Sequence, residues 1–160
     1  AETLIKSGEV TNVLIFDLDV HQGDGTAAML QHQPYAYTCS VHCEKNFPFR
    51  KSPSDLDIGL ADNMKDDEYL AIVDDTLSYL LKELNPSLVL YDAGVDIWQG
   101  DGLGKLDISW DGIVKRDHLV LKRCLEHNTP VATVIGGGYD KDHLRLAKRH
   151  AIVVEQAAGF

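Results

Sequence analysis

"VLIFDLDVHQGDG", residues 13–25, joins an apolar run to a group of acids, an imidazole and glycines. The run Val13–Phe16 is typical of a buried strand in a parallel sheet. Asp17 and Asp19 follow it two residues apart, a spacing at which strand side chains point the same way. Two like charges so close require a compensating cation or hydrogen-bond donors. The stretch therefore predicts a strand that ends at a cation site.

Strands and helices alternate on both sides of this segment. Three further apolar runs predict buried strands; they are Tyr35–Val41, Leu88–Tyr91 and Val131–Ile135. Three segments have apolar residues at helical spacing; they are Asp66–Leu84, Trp110–Glu126 with Ser109 as its N-cap, and His143–Ala158. This alternation predicts an α/β fold, a parallel sheet with helices on both faces.

Composition and charge narrow the class of protein. The 160 residues suit one domain, and the net charge of −10 disfavours a nucleic-acid binder, because phosphate binding needs a basic face. No apolar run approaches the roughly 20 residues of a membrane span, and the N-terminus lacks a signal-peptide pattern, so no membrane partner is expected. Three cysteines are too few for a disulfide scaffold, which favours a reducing, cytoplasmic setting.

Acidic residues are concentrated between Asp55 and Asp75, where eight carboxylates accompany one lysine. We expect a solvated loop followed by the start of a helix in this segment. The alternative is an acidic patch that attracts cationic substrates.

Polar side chains follow all four predicted strands. These segments are residues 17–21, 40–42, 92–96 and 136–139. In open α/β folds the functional residues lie just beyond the carboxyl ends of the strands, which share one edge of the sheet. The four segments are therefore predicted to converge.

Asp19, His21 and Asp96 are the candidate metal ligands at this edge. One neutral imidazole and two carboxylates suit a borderline divalent cation such as Zn²⁺. Three protein ligands leave a coordination position open, as a catalytic metal requires. The alternative is that each residue is an ordinary polar group of a loop.

Asp17, Asp24 and Tyr139 are further candidates. Asp17 needs a partner for its charge, and Asp24 is suited either to orienting a histidine near the metal or to an Asx-type turn. Tyr139 follows three glycines, which let backbone approach a ligand closely, and its phenol is suited to donating to an oxyanion. The alternative for Tyr139 is an aromatic cap on a glycine-rich turn.

The remaining cysteines and histidines are assigned to packing or to the surface. Strand alternation places Cys39 and Cys43 on the side of Val41, and buried cysteine usually packs in the core. Five histidines show no ligand spacing to one another; they are His32, His118, His127, His143 and His150.

Three ordered motifs resemble the zinc-dependent histone deacetylase family, which shares its three-layer fold with the arginases. The signature D-x-D-x-H-x-G-x-G is matched by residues 17–25. The third-ligand segment is matched by "YDAGVDIWQGDGLGKLDIS", residues 91–109, and the tyrosine segment by "GGGY", residues 136–139. The sequence of residues 93–117 looks most like that of the class IV branch and its bacterial relatives.

The resemblance implies a metal-dependent amidohydrolase that deacetylates acetyl-lysine proteins or a related small acylated amine. Asp19, His21 and Asp96 would bind zinc, and Tyr139 would polarise the acyl carbonyl. A buried potassium ion would be held by the Asp17 carboxylate, the Ser40 hydroxyl and backbone oxygens; the latter belong to Asp19, His21 and Val41. The channel for the acyl group would be lined by three residues; they are Phe47, Leu103 and Gly137.

One feature of the family pattern is missing from these residues. The family carries a tandem histidine pair upstream of the first motif, and no His-His dipeptide occurs among the 160 residues. Asp17 and Asp24 match the acids that orient this pair. Leu4, Ile5 and Gly8 resemble the last turn and C-cap of a helix. We therefore expect the C-terminal portion of one catalytic domain.

Several expectations follow from this departure. The chain by itself should be inactive, because it lacks the histidine base. It should self-associate as a homo-oligomer, or pair with the N-terminal portion as its partner, because truncation exposes apolar surface. A non-catalytic metal-binding fragment or interaction module stays open as an alternative.

A haloacid-dehalogenase-type phosphatase is the weaker alternative. It also places D-x-D after its first strand, and "GDG" at residues 100–102 resembles its metal loop. His21 stands where that motif needs Thr or Val, and Leu103-Gly104-Lys105 stands where a further Asp is needed. The sequence thus disfavours it.

Overall fold

Five parallel strands form a single sheet in the computed structural model, which describes residues 1–160. Their order across the sheet is β3-β2-β1-β4-β5. The strands are β1 (Val13–Asp17), β2 (Ala36–Cys43), β3 (Leu56–Leu60), β4 (Leu88–Asp92) and β5 (Val131–Val134). The four predicted strands are confirmed to within two residues at each end.

Five helices accompany the sheet: α1 (Glu2–Ser7), α2 (Asp24–Leu30), α3 (Asp66–Leu84), α4 (Trp110–Glu126) and α5 (His143–Ala157). The three long helices confirm the sequence prediction. Ser109 caps α4 as expected, since its hydroxyl accepts a hydrogen bond from the Gly112 amide at 2.9 Å. Gly8 ends α1 in the left-handed conformation at φ 77°, which glycine adopts without steric cost.

The prediction that residues 55–65 form a solvated loop was wrong over its first half, which is strand β3. Leu56 and Ile58 are half-buried while Asp57 and Gly59 are exposed, the alternation of an edge strand with one side on the core. The high density of acids hid this period of two. The acids also have structural roles; Asp55, for example, accepts hydrogen bonds from the Thr38 amide and hydroxyl.

Strand β1 lies at the centre of the sheet, between β2 and β4. The chain leaves β1 toward β2 and leaves β4 toward β5, so its direction across the sheet reverses between β1 and β4. Right-handed crossovers then place α2 on one face of the sheet and α3 and α4 on the other. A reversal of this kind opens a crevice at the carboxyl ends of the two strands, where α/β proteins bind ligands.

One hydrophobic core supports this crevice. Its 26 buried residues come from strands β1 to β4, from α3, α4 and α5, and from the segments that follow β1, β3 and β4. Cys39 and Cys43 belong to it, as predicted, and all three cysteines are free and buried. No helix combines the length and the apolar character needed to cross a bilayer.

Candidate metal centre

Asp19, His21 and Asp96 meet at the crevice between β1 and β4. The Nδ1 atom of His21 lies 3.1 Å from Asp19 Oδ1 and 3.1 Å from Asp96 Oδ2. One ligand atom from each residue lies within 4.8 Å of the others. The structure thus brings Asp96 next to His21 although the two residues are 75 positions apart in the sequence.

Backbone amides orient both carboxylates. Asp96 Oδ1 accepts from the Val20 amide at 2.9 Å, and Asp19 Oδ2 accepts from the Gly137 amide at 2.6 Å. Asp19 Oδ1 also accepts from the His21 amide at 2.8 Å. Because these bonds hold each carboxylate by a fixed oxygen, the Asp96 Oδ2 and Asp19 Oδ1 atoms face the imidazole. The arrangement is therefore set by the backbone and not by the three side chains alone.

The electrostatics of the cluster favour a positive charge at its centre. Hydrogen bonds that His21 donates to the carboxylates of Asp19 and then Asp96 raise the pKa of His21 to about 10. Burial raises the pKa of Asp96 to about 6. At Asp19 burial also opposes ionisation, but hydrogen bonds from His21 and Gly137 outweigh it and lower the pKa. One imidazole nitrogen and two carboxylate oxygens are a donor set that suits zinc, so these residues fit a divalent metal ion.

Gly137 is predicted to form part of the acyl channel, and the space around it is very restricted. A Cβ atom there would lie 2.1 Å from Asp96 Oδ2 and 2.4 Å from Asp19 Oδ2. Gly94 is similarly close to the site, because its Cβ would lie 2.7 Å from the Asp19 Cα atom. Only glycine lets these two loops approach the carboxylates.

Tyr139 lies beside the three candidate ligands. Its ring is edge-on to the His21 imidazole, with centroids 6.1 Å apart, and its side chain is half-exposed. Partial burial, followed by the charges of Asp96 and Asp19, raises the pKa of the phenol above its ordinary value. The hydroxyl therefore stays protonated and is a hydrogen-bond donor across the neutral pH range.

Phe47 and Leu103 are exposed, and the segments that carry them meet beside His21. Asn46 makes this junction: its Nδ2 donates to the Leu103 carbonyl at 2.8 Å and its Oδ1 accepts from the Lys105 amide at 3.1 Å. The same Nδ2 lies 3.4 Å from Nε2 of His21. The assignment of Phe47, Leu103 and Gly137 to a channel stays a prediction.

Asp17 lies beneath the ligands, beside Ser40 on one side and Asp92 on the other. Burial, and then the charge of Asp92, raises the pKa of Asp17 well above its ordinary value. Its Oδ1 accepts from the Asp19 amide at 3.0 Å. The Ser40 hydroxyl lies 3.1 Å from Nδ1 of buried His42. The potassium site of Asp17, Asp19, His21, Ser40 and Val41 stays a prediction.

Asp24 is the first residue of α2, and its carboxylate makes no hydrogen bond within the chain. Its predicted role in orienting a histidine is not tested by this position. Asp92 was not singled out by itself in the sequence. Burial, followed by the charge of Asp19, raises its pKa to about 6, and its Oδ1 is buried without a hydrogen-bond partner.

Three polar residues near the site were missed in the sequence. Asn46 links the loops beside His21, as described above. Asp101 bonds the backbone of Tyr139, and Arg116 bonds the carbonyl of Gly94. Asp101 and Arg116 lie within residues 93–117, which resemble the family, but neither was assigned a role there, and Asn46 belongs to no motif.

Comparison with known proteins gives a consistent match. The family model described as the histone deacetylase domain matches residues 1–154. An uncharacterised protein of Picosynechococcus is 50% identical over 151 residues, which cover 94% of this chain and 50% of that protein. Histone deacetylase 2 of Arabidopsis thaliana is 35% identical over 140 residues, 86% of this chain and 36% of that protein.

More distant relatives agree with this match. Histone deacetylase clr6 of Schizosaccharomyces pombe is 29% identical over 138 residues, which cover 79% of this chain and 33% of the relative. The chain thus spans between a third and a half of the length of these curated relatives.

Proposed function

The chain belongs to the histone deacetylase family, and on that premise we propose that its site serves the metal-dependent hydrolysis of acyl-amides. The substrate class is acetyl-lysine in a protein or a related small acylated amine. The observation that carries this proposal is the convergence of Asp19, His21 and Asp96 on one point, with the phenol of Tyr139 beside it. The family assignment favours this reaction over phosphate-ester hydrolysis.

Asp19, His21 and Asp96 would hold the divalent ion, for which we propose Zn²⁺. When bound, such an ion polarises a carbonyl and lowers the pKa of water enough to supply a nucleophile near neutral pH. His21 would use Nδ1, the nitrogen that faces both carboxylates. Its Nε2 faces Asn46, so the imidazole is held in place and is not free to transfer protons.

Tyr139 would stabilise the oxyanion. As the amide carbon becomes tetrahedral, negative charge develops on the carbonyl oxygen, and a phenol O–H directed at that oxygen lowers the barrier. The raised pKa of Tyr139 keeps this proton in place. Phe47, Leu103 and Gly137 would form the passage for the acyl group, which favours a narrow, apolar substrate arm.

Two further roles belong to this proposal. Asp17 and Ser40, with nearby backbone oxygens, would hold a potassium ion that offsets the charge of Asp17. Asp24 would orient a histidine supplied from outside these residues. The three buried free cysteines support a reducing, cytoplasmic setting.

A general base is needed to take a proton from the attacking water and return it to the leaving amine. His21 is used as a ligand, and the Nδ1 atom of buried His42 is engaged by the Ser40 hydroxyl at 3.1 Å. We therefore propose that the base comes from residues outside this chain and that residues 1–160 alone do not turn over. If no general base is supplied, the site can bind a metal ion but cannot turn over, which is the second candidate: a metal-binding module without catalysis.

The test compares the polypeptide that carries the upstream family segment with residues 1–160 alone. Both are loaded with Zn²⁺ and assayed with an acetyl-lysine peptide, alongside Asp96→Ala and the control Asp107→Asn, whose carboxylate contacts only Lys65 at 3.7 Å. Turnover by the longer polypeptide that Asp96→Ala abolishes and Asp107→Asn preserves is expected. Zinc binding without turnover in the longer polypeptide would favour the non-catalytic candidate.

A further inference from the structure

Tyr139 stands in a turn that has little to hold it. Three glycines precede it, its ring is 47% exposed, and its hydroxyl makes no hydrogen bond within the chain. Glycine backbone has more conformational freedom than any other, so the turn does not define the direction of the phenol by itself. The position of Tyr139 must therefore come from contacts of its neighbours and of its own backbone.

The carboxylate of Asp101 supplies one of these contacts. Its Oδ2 accepts a hydrogen bond from the Tyr139 amide at 2.7 Å. Its Oδ1 accepts from the amides of Leu103 at 2.9 Å and Gly104 at 3.1 Å. The Gly102 amide also donates to the Tyr139 carbonyl at 3.4 Å. One side chain thus joins the backbone of Tyr139 to the loop that carries Leu103.

That loop is tightly packed against the metal centre. A Cβ atom on Gly104 would lie 1.9 Å from the Asp96 carbonyl oxygen, so the loop contacts the backbone of a candidate ligand directly. The Asp101 amide donates to the Trp98 carbonyl at 2.9 Å, two residues beyond Asp96. Asp101 therefore connects the segment of Asp96 to Tyr139, because its amide bonds the Trp98 carbonyl and its carboxylate accepts from the Tyr139 amide.

A second contact anchors the other side of the turn. Asp140 is bonded by Arg145 at 2.7 Å and by Arg149 at 2.9 Å. The guanidinium of Arg149 stacks on the Trp98 ring, 4.0 Å from its centroid. This contact locates the residue after Tyr139, whereas the amide of Tyr139 itself donates the hydrogen bond to Asp101.

We propose that Asp101 is a positioning residue: it directs the phenol of Tyr139 toward the metal centre and holds the Leu103 loop at the same time. The catalytic consequence rests on the proposed function, in which Tyr139 is the oxyanion donor. The structural consequence does not, because the hydrogen bonds are present in the folded chain whatever its reaction.

Asp101→Asn is the sharpest substitution. All three partners of the carboxylate are backbone N–H donors, and a carboxamide offers a single acceptor oxygen. Its NH₂ group must then face either the Tyr139 amide or the amides of Leu103 and Gly104. The size of the side chain is retained, so the change removes the bridge and leaves the packing intact. Asp107→Asn, six residues further along the chain, is the matched control because its carboxylate bonds no backbone amide.

The first measurement is independent of activity. In Asp101→Asn, amide hydrogen exchange in residues 1–160 should accelerate about tenfold or more either at Tyr139 or at Leu103 and Gly104, whichever amides the NH₂ group faces, as loss of a charge-assisted hydrogen bond allows. It should not change in Asp107→Asn. Unchanged exchange at all three amides in Asp101→Asn overturns the proposal. If Asp101→Asn lowers the folded fraction, the shorter Asp101→Ser is used, for which the same local acceleration is expected.

The second measurement uses the longer polypeptide and an acetyl-lysine peptide. Asp101→Asn should lower kcat by about 10- to 100-fold, the cost of a misplaced group, with KM and bound zinc unchanged. In a Tyr139→Phe background the same substitution should have almost no further effect. Equal losses in both backgrounds overturn the proposal. If the wild-type protein does not hydrolyse the peptide, the proposed function fails, and hydrogen exchange still decides the role of Asp101.

Discussion

The two sides of the site are built in opposite ways. On the ligand side, the segment after β4 is buried, and Asp96 is fully inaccessible. On the tyrosine side, the segment after β5 is open: Ile135 is 65% exposed and Tyr139 is 47% exposed. The ligands are thus held by the core, whereas the tyrosine is held by polar contacts near the surface.

Buried polar groups reinforce the ligand side. Arg116 donates to the carbonyl of Gly94 at 2.6 Å and to that of Ala93 at 3.3 Å, which fixes the loop that leads to Asp96. Asp117 neutralises this guanidinium at 2.9 Å and accepts from the Tyr91 hydroxyl. The residues that this network joins to Arg116 are all buried, so a hydrogen bond lost here is not replaced by one to water; they are Tyr91, Ala93, Gly94 and Asp117.

Metal binding and catalysis are therefore expected to depend on different sides of the site. Metal affinity should respond to changes in the core, since the core sets the distances between ligand atoms. Catalytic rate should respond to changes at the exposed turn, since that turn sets the direction of the phenol. Substitutions on each side of the site and changes of pH test this separation.

The largest effect is expected for Arg116→Met. It leaves buried Asp117 without its ion-pair partner and removes the donors to Gly94, so the free energy of unfolding should fall by about 3–5 kcal/mol. Arg145→Met, on the tyrosine side, removes a half-exposed ion pair with Asp140 and should cost at most about 1 kcal/mol. Urea denaturation of both variants measures the contrast. Similar losses would show that the two sides do not differ in the way described.

Tyr139→Phe should separate rate from binding. Loss of the phenol hydroxyl should lower deacylation by about 10²- to 10³-fold, as removal of an oxyanion donor does. Zinc affinity should not change, because the hydroxyl bonds no ligand residue. Steady-state kinetics of the longer polypeptide and zinc titration by calorimetry give the two values. An unchanged rate would reduce Tyr139 to a turn residue.

Gly137→Ala tests whether the two sides touch. The new methyl group would lie 2.1 Å from Asp96 Oδ2, so a carboxylate must move and zinc affinity should fall by about 10- to 100-fold. Gly102→Ala is the control, since its nearest neighbour would be the Tyr139 carbonyl oxygen at 3.9 Å. Equal zinc affinity in Gly137→Ala and the wild type would contradict the geometry of the site.

The last test of the ligands is the dependence of metal affinity on pH. The raised pKa of His21, about 10, means that the metal-free site holds a proton at neutral pH, which a metal ion must displace. Affinity should therefore rise about tenfold per pH unit between pH 7 and 9. His127→Gln, which removes an imidazole bonded to Thr129, should leave the slope unchanged. A flat profile would contradict the role of His21.

The raised pKa of His21 also predicts how the stability of the metal-free protein depends on pH. Because the folded pKa of His21 lies above its ordinary value of 6.5, protonation stabilises the fold fully below pH 6.5. This contribution is lost as the pH rises from 6.5 toward 10. Thermal denaturation of residues 1–160 in the presence of a chelator should show the loss, and His21→Gln should remove it.

Periodicity and turn chemistry predicted most of the architecture. Four strands and three long helices follow from apolar runs, from the Ser109 cap and from the glycine that ends α1. Strand β3 was missed because its exposed side carries Asp57 and its neighbourhood is acidic, so charge density concealed the alternation of Leu56, Ile58 and Leu60. Helix α2 was missed because it begins inside the motif and is seven residues long.

The convergence of Asp19, His21, Asp96 and Tyr139 could be predicted from the sequence, because all four follow strands and parallel strands end at one edge. The contacts that hold these residues in place could be seen only in the folded structure. Asp101 reaches Tyr139 across 38 residues, Asn46 reaches Leu103 across 57, and Arg116 reaches Gly94 across 22. Each of these contacts joins a side chain to a distant backbone group. Any residue can present a backbone amide or carbonyl, so such bonds leave no pattern in the sequence and arise only when the loops are folded together.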